Sequence, residues 1–135
     1  MHKRILIVDD SEDTRELLTA TLECEGFVVL SASNGDEALE LLSKDAEFSL
    51  VLLDLSMPSM TGLELLSEMQ KRGVATEVPI MLVSAATNLE KIPVPPNVID
   101  HLKKPFFYPE LIFKIKERHH IDPTSSDHFS PDVTA

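Results

Sequence analysis

The sequence is short of cysteine and of positive charge, and it has no long apolar run. One cysteine in 135 residues, Cys24, excludes a disulfide framework and a multi-cysteine metal site. Its place inside a helical pattern reads as a small buried apolar residue, not a redox centre. Only 12 Lys and Arg stand against 23 Asp and Glu, a formal net charge of -11. That balance argues against a nucleic-acid backbone or an anionic membrane surface as the main partner, and favours a divalent cation or a basic protein surface. No basic-then-apolar segment opens the chain and no apolar stretch approaches bilayer length, so a cytoplasmic, soluble protein is expected. The length suits one domain with a single core.

What the chain does have is a rhythm of short apolar runs that end on polar residues. Ile5 to Val8 end on Asp9 and Asp10; Leu50 to Leu53 end on Asp54; Ile80 to Val83 end on Ser84. Unbroken runs of this length suit strands buried on both faces of a sheet. Phe27 to Ser31 and Val98 to Leu102 complete a set of five. Between them lie helical patterns. Ser11 can cap a helix from Glu12 to Glu25 with Leu17, Leu18 and Leu22 on one face, and Asn34 can cap Gly35 to Lys44 with Ala38, Leu39 and Leu42 inward. Gly62 to Arg72 carries Leu65, Leu66 and Met69; a last helix from Pro109 to His119 carries Leu111, Ile112 and Ile115. From Ala85 to Asn97 the pattern fails. Thr87 to Ile92 could hold a turn or two, but Pro93, Pro95 and Pro96 preclude more, so a fourth helix is short or irregular. Residues 1–120 then form the domain, and the polar residues 121–135 read as a disordered tail.

Strands alternating with helices imply a parallel sheet covered on both faces, with right-handed crossovers. The functional crevice of such a sheet lies at the carboxyl ends of its strands, near the point where strand order reverses. Asp9, Asp10, Asp54, Ser84 and Lys104 all fall at strand ends and converge there. Three carboxylates together repel one another, and an oxygen-preferring divalent ion such as Mg2+ relieves that repulsion. Asp54 can act as a nucleophile toward phosphorus; Lys104 can offset charge on the transferred group and the Ser84 hydroxyl can hydrogen-bond it.

The pair Asp9-Asp10, the run Asp54-Leu-Ser-Met-Pro-Ser-Met-Thr-Gly62, Ser84-Ala85 and Lys104-Pro105-Phe106 together resemble the receiver domain of bacterial two-component response regulators, over about Lys3 to His119. The resemblance implies a flavodoxin-like, doubly wound α/β fold with five parallel strands in the order 2-1-3-4-5, like the stand-alone chemotaxis regulators. It implies that Asp54 accepts a phosphoryl group from a sensor histidine kinase or a histidine phosphotransfer protein. Mg2+ would be held by Asp9, Asp10, Asp54 and the backbone carbonyl of Ser56, with Lys104 on the phosphate and Ser84 as a switch hydroxyl. A cis Lys104-Pro105 bond is also implied. Two departures stand out. The switch ring that receivers carry three residues before the lysine is replaced by His101, which is smaller and titratable; a switching role and a plain strand-end histidine both remain open. The proline-rich segment replaces much of the helix that helps form the output surface in the family.

Two other classes compete. A Mg2+-dependent phosphohydrolase with an aspartate nucleophile normally has a second aspartate two residues on as acid/base, and that place is Ser56. A receiver-like docking module that is never phosphorylated would not need the intact acids and lysine. The reading is therefore a phosphoacceptor, not a turnover enzyme, that signals through contacts with a downstream protein. His119 and His120 suit the negative end of the last helix, and His128 falls in the tail. Phe106, Phe107 and Tyr108 read as core and rim packing.

Overall fold

The computed structural model describes residues 3–45 and 47–124. Five strands, β1 (Arg4–Val8), β2 (Val28–Ala32), β3 (Leu50–Leu53), β4 (Ile80–Ser84) and β5 (Val98–Lys103), form one sheet. Its order is β2-β1-β3-β4-β5 with every pairing parallel, as the resemblance implied. The chain steps from β1 outward to β2 and returns past β1 to β3. The reversal point therefore lies between β1 and β3, the two strands that end on aspartate.

Alternation along the strands feeds two cores, which is why the apolar runs are unbroken. Leu6, Val8, Val51, Leu53, Ile80 and Leu82 face α2 (Gly35–Lys44) and α3 (Gly62–Arg72). Ile5, Ile7, Leu50, Leu52, Met81, Val83 and Leu102 face α1 (Glu12–Cys24) and α4 (Tyr108–Phe113). The expected caps form: Ser11 Oγ accepts from the Thr14 amide at 3.2 Å, and Asn34 Oδ1 from the Glu37 amide at 2.8 Å. Thr61 adds a reciprocal cap with Glu64 at the start of α3, and Gly73 ends that helix at φ 65.

Several details differ from the sequence reading. Leu17 is 52% exposed, because Leu18 and Leu22, four apart, define the buried stripe of α1 and Leu17 sits about 100° around from Leu18. Cys24 is exposed as the last residue of α1, not buried. Strand β2 starts one residue late and α1 ends one early. The proline-rich segment holds a single 3-10 turn, Leu89–Lys91, entered through Asn88 at φ 58, in line with a short fourth helix. After α4 the helix widens to a π-type turn over Lys114–Arg118. Ile121 is buried against the α1 and α4 core, and the Lys3 amide donates to the Pro123 carbonyl at 2.7 Å. The rest of the expected tail, residues 125–135 with His128, lies outside the described residues. No helix among the described residues is long and apolar enough to cross a membrane.

Candidate functional site

Pairing of Val8 with Leu53 brings β1 and β3 to their ends side by side, so Asp9 and Asp54 emerge as neighbours. The Asp54 amide donates to the Val8 carbonyl at 3.0 Å, extending the ladder by one bond into the site. Both aspartates are buried and Asp10 is exposed; one oxygen of each of the three carboxylates lies within 4.8 Å of the others. Such an all-oxygen set fits a hard divalent cation. Among the described residues it is the one group of three or more potential ligands, and no histidine joins it.

Each carboxylate is aimed by the backbone around it. Asp9 Oδ1 accepts from the Ser11 amide at 2.9 Å, and Asp54 Oδ1 from the Ser56 amide at 3.1 Å. Lys104 reaches in from the end of β5, with Nζ 2.6 Å from Asp9 Oδ2 and 3.4 Å from Asp54 Oδ2. Burial works against its ammonium, but the hydrogen bond to Asp9 and the charges of Asp54 and Asp9 outweigh it and hold the pKa above the ordinary lysine value. Three carboxylates against one ammonium leave two negative charges uncompensated, the charge a divalent ion would neutralise. The Lys104 amide donates to the Ser84 carbonyl at 2.9 Å, and the Lys104-Pro105 bond is cis.

Ser84 is fully buried at the end of β4, its Oγ accepting from the Ala86 amide at 3.3 Å. His101 is half-buried on β5 opposite Leu82, on the sheet face toward α2 and α3. Sequence reasoning missed three features. Arg15 Nη1 donates to the Asp9 carbonyl at 2.8 Å and ties α1 to the acid pair. Gly62, the first residue of α3, sits so close that a Cβ there would lie 2.6 Å from the Asp54 carbonyl oxygen. Asp100 gathers the Lys114 ammonium at 3.3 Å, His119 Nε2 at 2.9 Å and the Arg118 guanidinium at 3.6 Å. That contact, beyond the helix end itself, accounts for His119. Phe106 and Tyr108 stack edge to face at 5.3 Å, while Phe107 is 81% exposed.

Residues 5–116 match the family model for the response regulator receiver domain. The chain is 40% identical over 115 residues to the transcriptional regulatory protein CpxR homolog of Haemophilus influenzae, covering 84% of this chain and 48% of that protein. It thus spans about half the length of the curated relatives it matches. Among solved structures, the response regulator TrrA of Thermotoga maritima in complex with Mg(2+)-BeF superposes with a TM-score of 0.75 at 35% identity, over 85% of this chain and 97% of that one. TrrA in complex with the histidine kinase ThkA gives 0.74 at 35% identity and the same coverage. With a family model spanning most of its length and a relative at that level of identity, the chain belongs to the response regulator receiver domain family.

Proposed function

We propose that Asp54 is the phosphoacceptor of a two-component signalling protein, loaded in the presence of Mg2+ from a phosphohistidine on a histidine kinase or phosphotransfer protein. The observation that carries this reading is the placement of Asp54 at the strand-reversal point, with Asp9 and Asp10 on one side and the Lys104 ammonium 3.4 Å away. Asp9, Asp10 and Asp54, with the Ser56 carbonyl, would hold the ion, which when bound supplies positive charge against the phosphoryl oxygens. The chain's own groups do the rest. An Asp54 oxygen attacks phosphorus as the bond to the donor nitrogen breaks, and that nitrogen keeps the electron pair. Lys104 then offers its ammonium to the phosphoryl oxygens in place of one of its present carboxylate partners.

Turnover hydrolysis is disfavoured by Ser56. It stands where a hydrolase of this logic has its acid/base carboxylate, and its amide is spent on orienting Asp54. Output follows from Ser84, whose hydroxyl lies at the end of the strand next to β3 and would turn toward the new phosphoryl oxygens. The segment after it, with His101 behind, is the surface read by a downstream protein. Residues 1–120 act as the receiver, with Ile121 packed into its core and the rest of 121–135 appended, in a cytoplasmic setting. The test is intact-mass analysis after incubation with acetyl phosphate and Mg2+. One added phosphoryl group is expected, lost on chelation and in Asp54→Asn; full labelling of Asp54→Asn would falsify the assignment.

A further inference from the structure

On one face of the sheet, α1 and α4 leave a groove of about 470 Å³ between them, open to solvent. One wall is Pro109, Ile112, Phe113 and Lys116, spaced as a single helical stripe along α4 and the turn that continues it. The other is Thr21 of α1 with Glu25 just past its end, and Tyr108 closes the groove on the side of Lys104. Phe113 is 59% exposed, although Leu111 and Ile115 on either side of it are fully buried. The Lys116 ammonium is already held by Glu25 at 2.5 Å, so an occupant of the groove meets mainly apolar surface. Contiguous exposed surface of that kind marks a place where something binds.

We infer that the occupant is residues 125–135 of this same chain, anchored by the Phe129 side chain. The residues just before that segment decide where it starts. The Ile121 amide donates to the Ile115 carbonyl at 2.9 Å, and the Ile121 side chain is buried in the α1 and α4 core. Pro123 takes the Lys3 amide on its carbonyl and packs on Gly26, where an added Cβ would lie 3.2 Å from its own. Gly26 follows Glu25 of the groove wall, so the chain is delivered to the mouth of the groove. The segment that follows carries one aromatic residue, Phe129, which can reach up to about 17 Å beyond Thr124. The apolar stripe from Pro109 to Lys116 is about 10 Å long at the helical rise, well within that reach. The groove of about 540 Å³ between α3 and the proline-rich segment is on the opposite face of the sheet, where Leu66 and Ile92 join the other core. Tethering lets a weak contact suffice, because a segment on a short link meets its seat at an effective concentration on the order of millimolar. A protein that reads this face must first displace the segment, which makes the cover autoinhibitory.

Tyr108 supplies the probe, since the chain has one tyrosine and no tryptophan and that tyrosine lines the groove. The experiment measures acrylamide quenching of its emission in the full chain. If the effective concentration of the segment equals its Kd, the groove is covered about half the time, and Phe129→Ser should then raise the quenching constant about twofold. A free peptide of residues 125–135, added to Phe129→Ser at a concentration on the order of millimolar, should restore the wild-type value. The same peptide carrying Phe129→Ser should not, which separates a seated ring from a general loosening of the fold. Quenching in Phe129→Ser that matches the wild type would overturn the inference and leave the groove to a separate partner. Failure of the unaltered peptide to restore protection would overturn it as well. So would a wild-type quenching constant that rises on dilution, because the segment in the groove would then belong to a second copy.

Discussion

Strand β5 and the residue just beyond its end bear two charged clusters four residues apart, and they are opposites. At Lys104, one cation faces three carboxylates; at Asp100, one carboxylate faces Lys114, Arg118 and His119, with the His101 amide as a further donor at 2.7 Å. The Asp100 side chain is only 5% exposed, yet every side of its charge is met. Burial disfavours its ionised form, and the hydrogen bonds from His119, the His101 amide and Lys114 more than reverse that, holding the carboxyl below its ordinary pKa. The crevice is left unbalanced and the Asp100 cluster is satisfied. A satisfied cluster ties β5 to the end of the last helix; an unbalanced one has capacity left for an ion and a phosphoryl group. The same chemical vocabulary thus serves fold in one place and function in the other.

Removing one carboxylate from each cluster should therefore change stability in opposite directions. Asp100→Ala leaves the mostly buried Lys114 and His119 without their anion, and breaking a buried pair in this way costs about 3 kcal/mol. Thermal melts without metal should show a drop of about 10 °C. Asp10→Asn should raise the metal-free melting temperature instead, by relieving repulsion. If both variants lose stability alike, the contrast between the clusters is wrong.

Mg2+ sharpens the contrast further. A ligand bound only by the folded state stabilises by mass action, about 1.4 kcal/mol at ten times its Kd. Wild-type protein and Asp100→Ala should both gain that increment across a Mg2+ titration, because the Asp100 cluster takes no part in holding the ion. Asp10→Asn should gain much less. A wild-type melting temperature that stays flat over the whole titration would count against any metal in the crevice.

The two clusters were not equally legible in the sequence. Asp9, Asp10 and Asp54 stand out because each interrupts a continuous apolar run at the strand end, and the strand order that brings them together follows from the β-α alternation. Asp100 gives no such signal. It lies within a mixed strand where a carboxylate reads as solvent-facing, and its partners come 14 to 19 residues later on a helix whose rotation only packing decides. Rotation also hid the exposure of Leu17 and Cys24, since three leucines in 13 residues define a stripe without fixing its edges. Arg15 escaped for a related reason: its hydrogen bond is to the Asp9 backbone, which no residue pattern marks. The short fourth helix was legible from prolines alone.

Acid and alkali should separate the clusters again, with smaller effects. Asp100 has a lowered folded pKa, so its contribution is complete above about pH 4 and is lost as pH falls through the folded value. Lys104 has a raised folded pKa, so its contribution is complete below about pH 10 and is lost as pH rises through the folded value. Tyr108, also raised, titrates in the alkaline range, so the Lys104 effect is read as the difference between wild type and Lys104→Met. Stability profiles should show Asp100→Asn flattening the acid limb and Lys104→Met the alkaline limb. An acid limb of Asp100→Asn that superimposes on the wild type would remove Asp100 from the account.

The smallest expected effect concerns how far a change in the unbalanced cluster travels along β4 and β5. Phosphorylation adds charge at Asp54, and the buried Ser84 hydroxyl must give up the Ala86 amide, at 3.3 Å, to turn toward it. The segment that follows is held lightly. Up to Pro96 its backbone bonds are few, the Lys91 amide to Asn88 at 3.0 Å, the Ile92 amide to Leu89 at 3.3 Å and the Val98 amide to Pro95 at 3.1 Å, and Asn97 ties its end to β4, its carbonyl accepting from the Ile80 amide at 2.8 Å. Leu89 is its one buried anchor before β5, and three prolines lack a donor altogether. Local opening there costs little, so a small pull at Ser84 changes its population measurably. The Asp100 cluster, by contrast, clamps the far face of β5 to the last helix and should stop the change from spreading. Hydrogen exchange of free and phosphorylated protein should then differ most between Ala85 and Leu102, with α4 and its continuation to Arg118 unchanged. In Asp100→Ala the clamp is gone, and the phosphorylation-dependent change should extend into Lys114–Arg118. If wild-type protection in 85–102 does not alter while α1 responds, the signal leaves by another face.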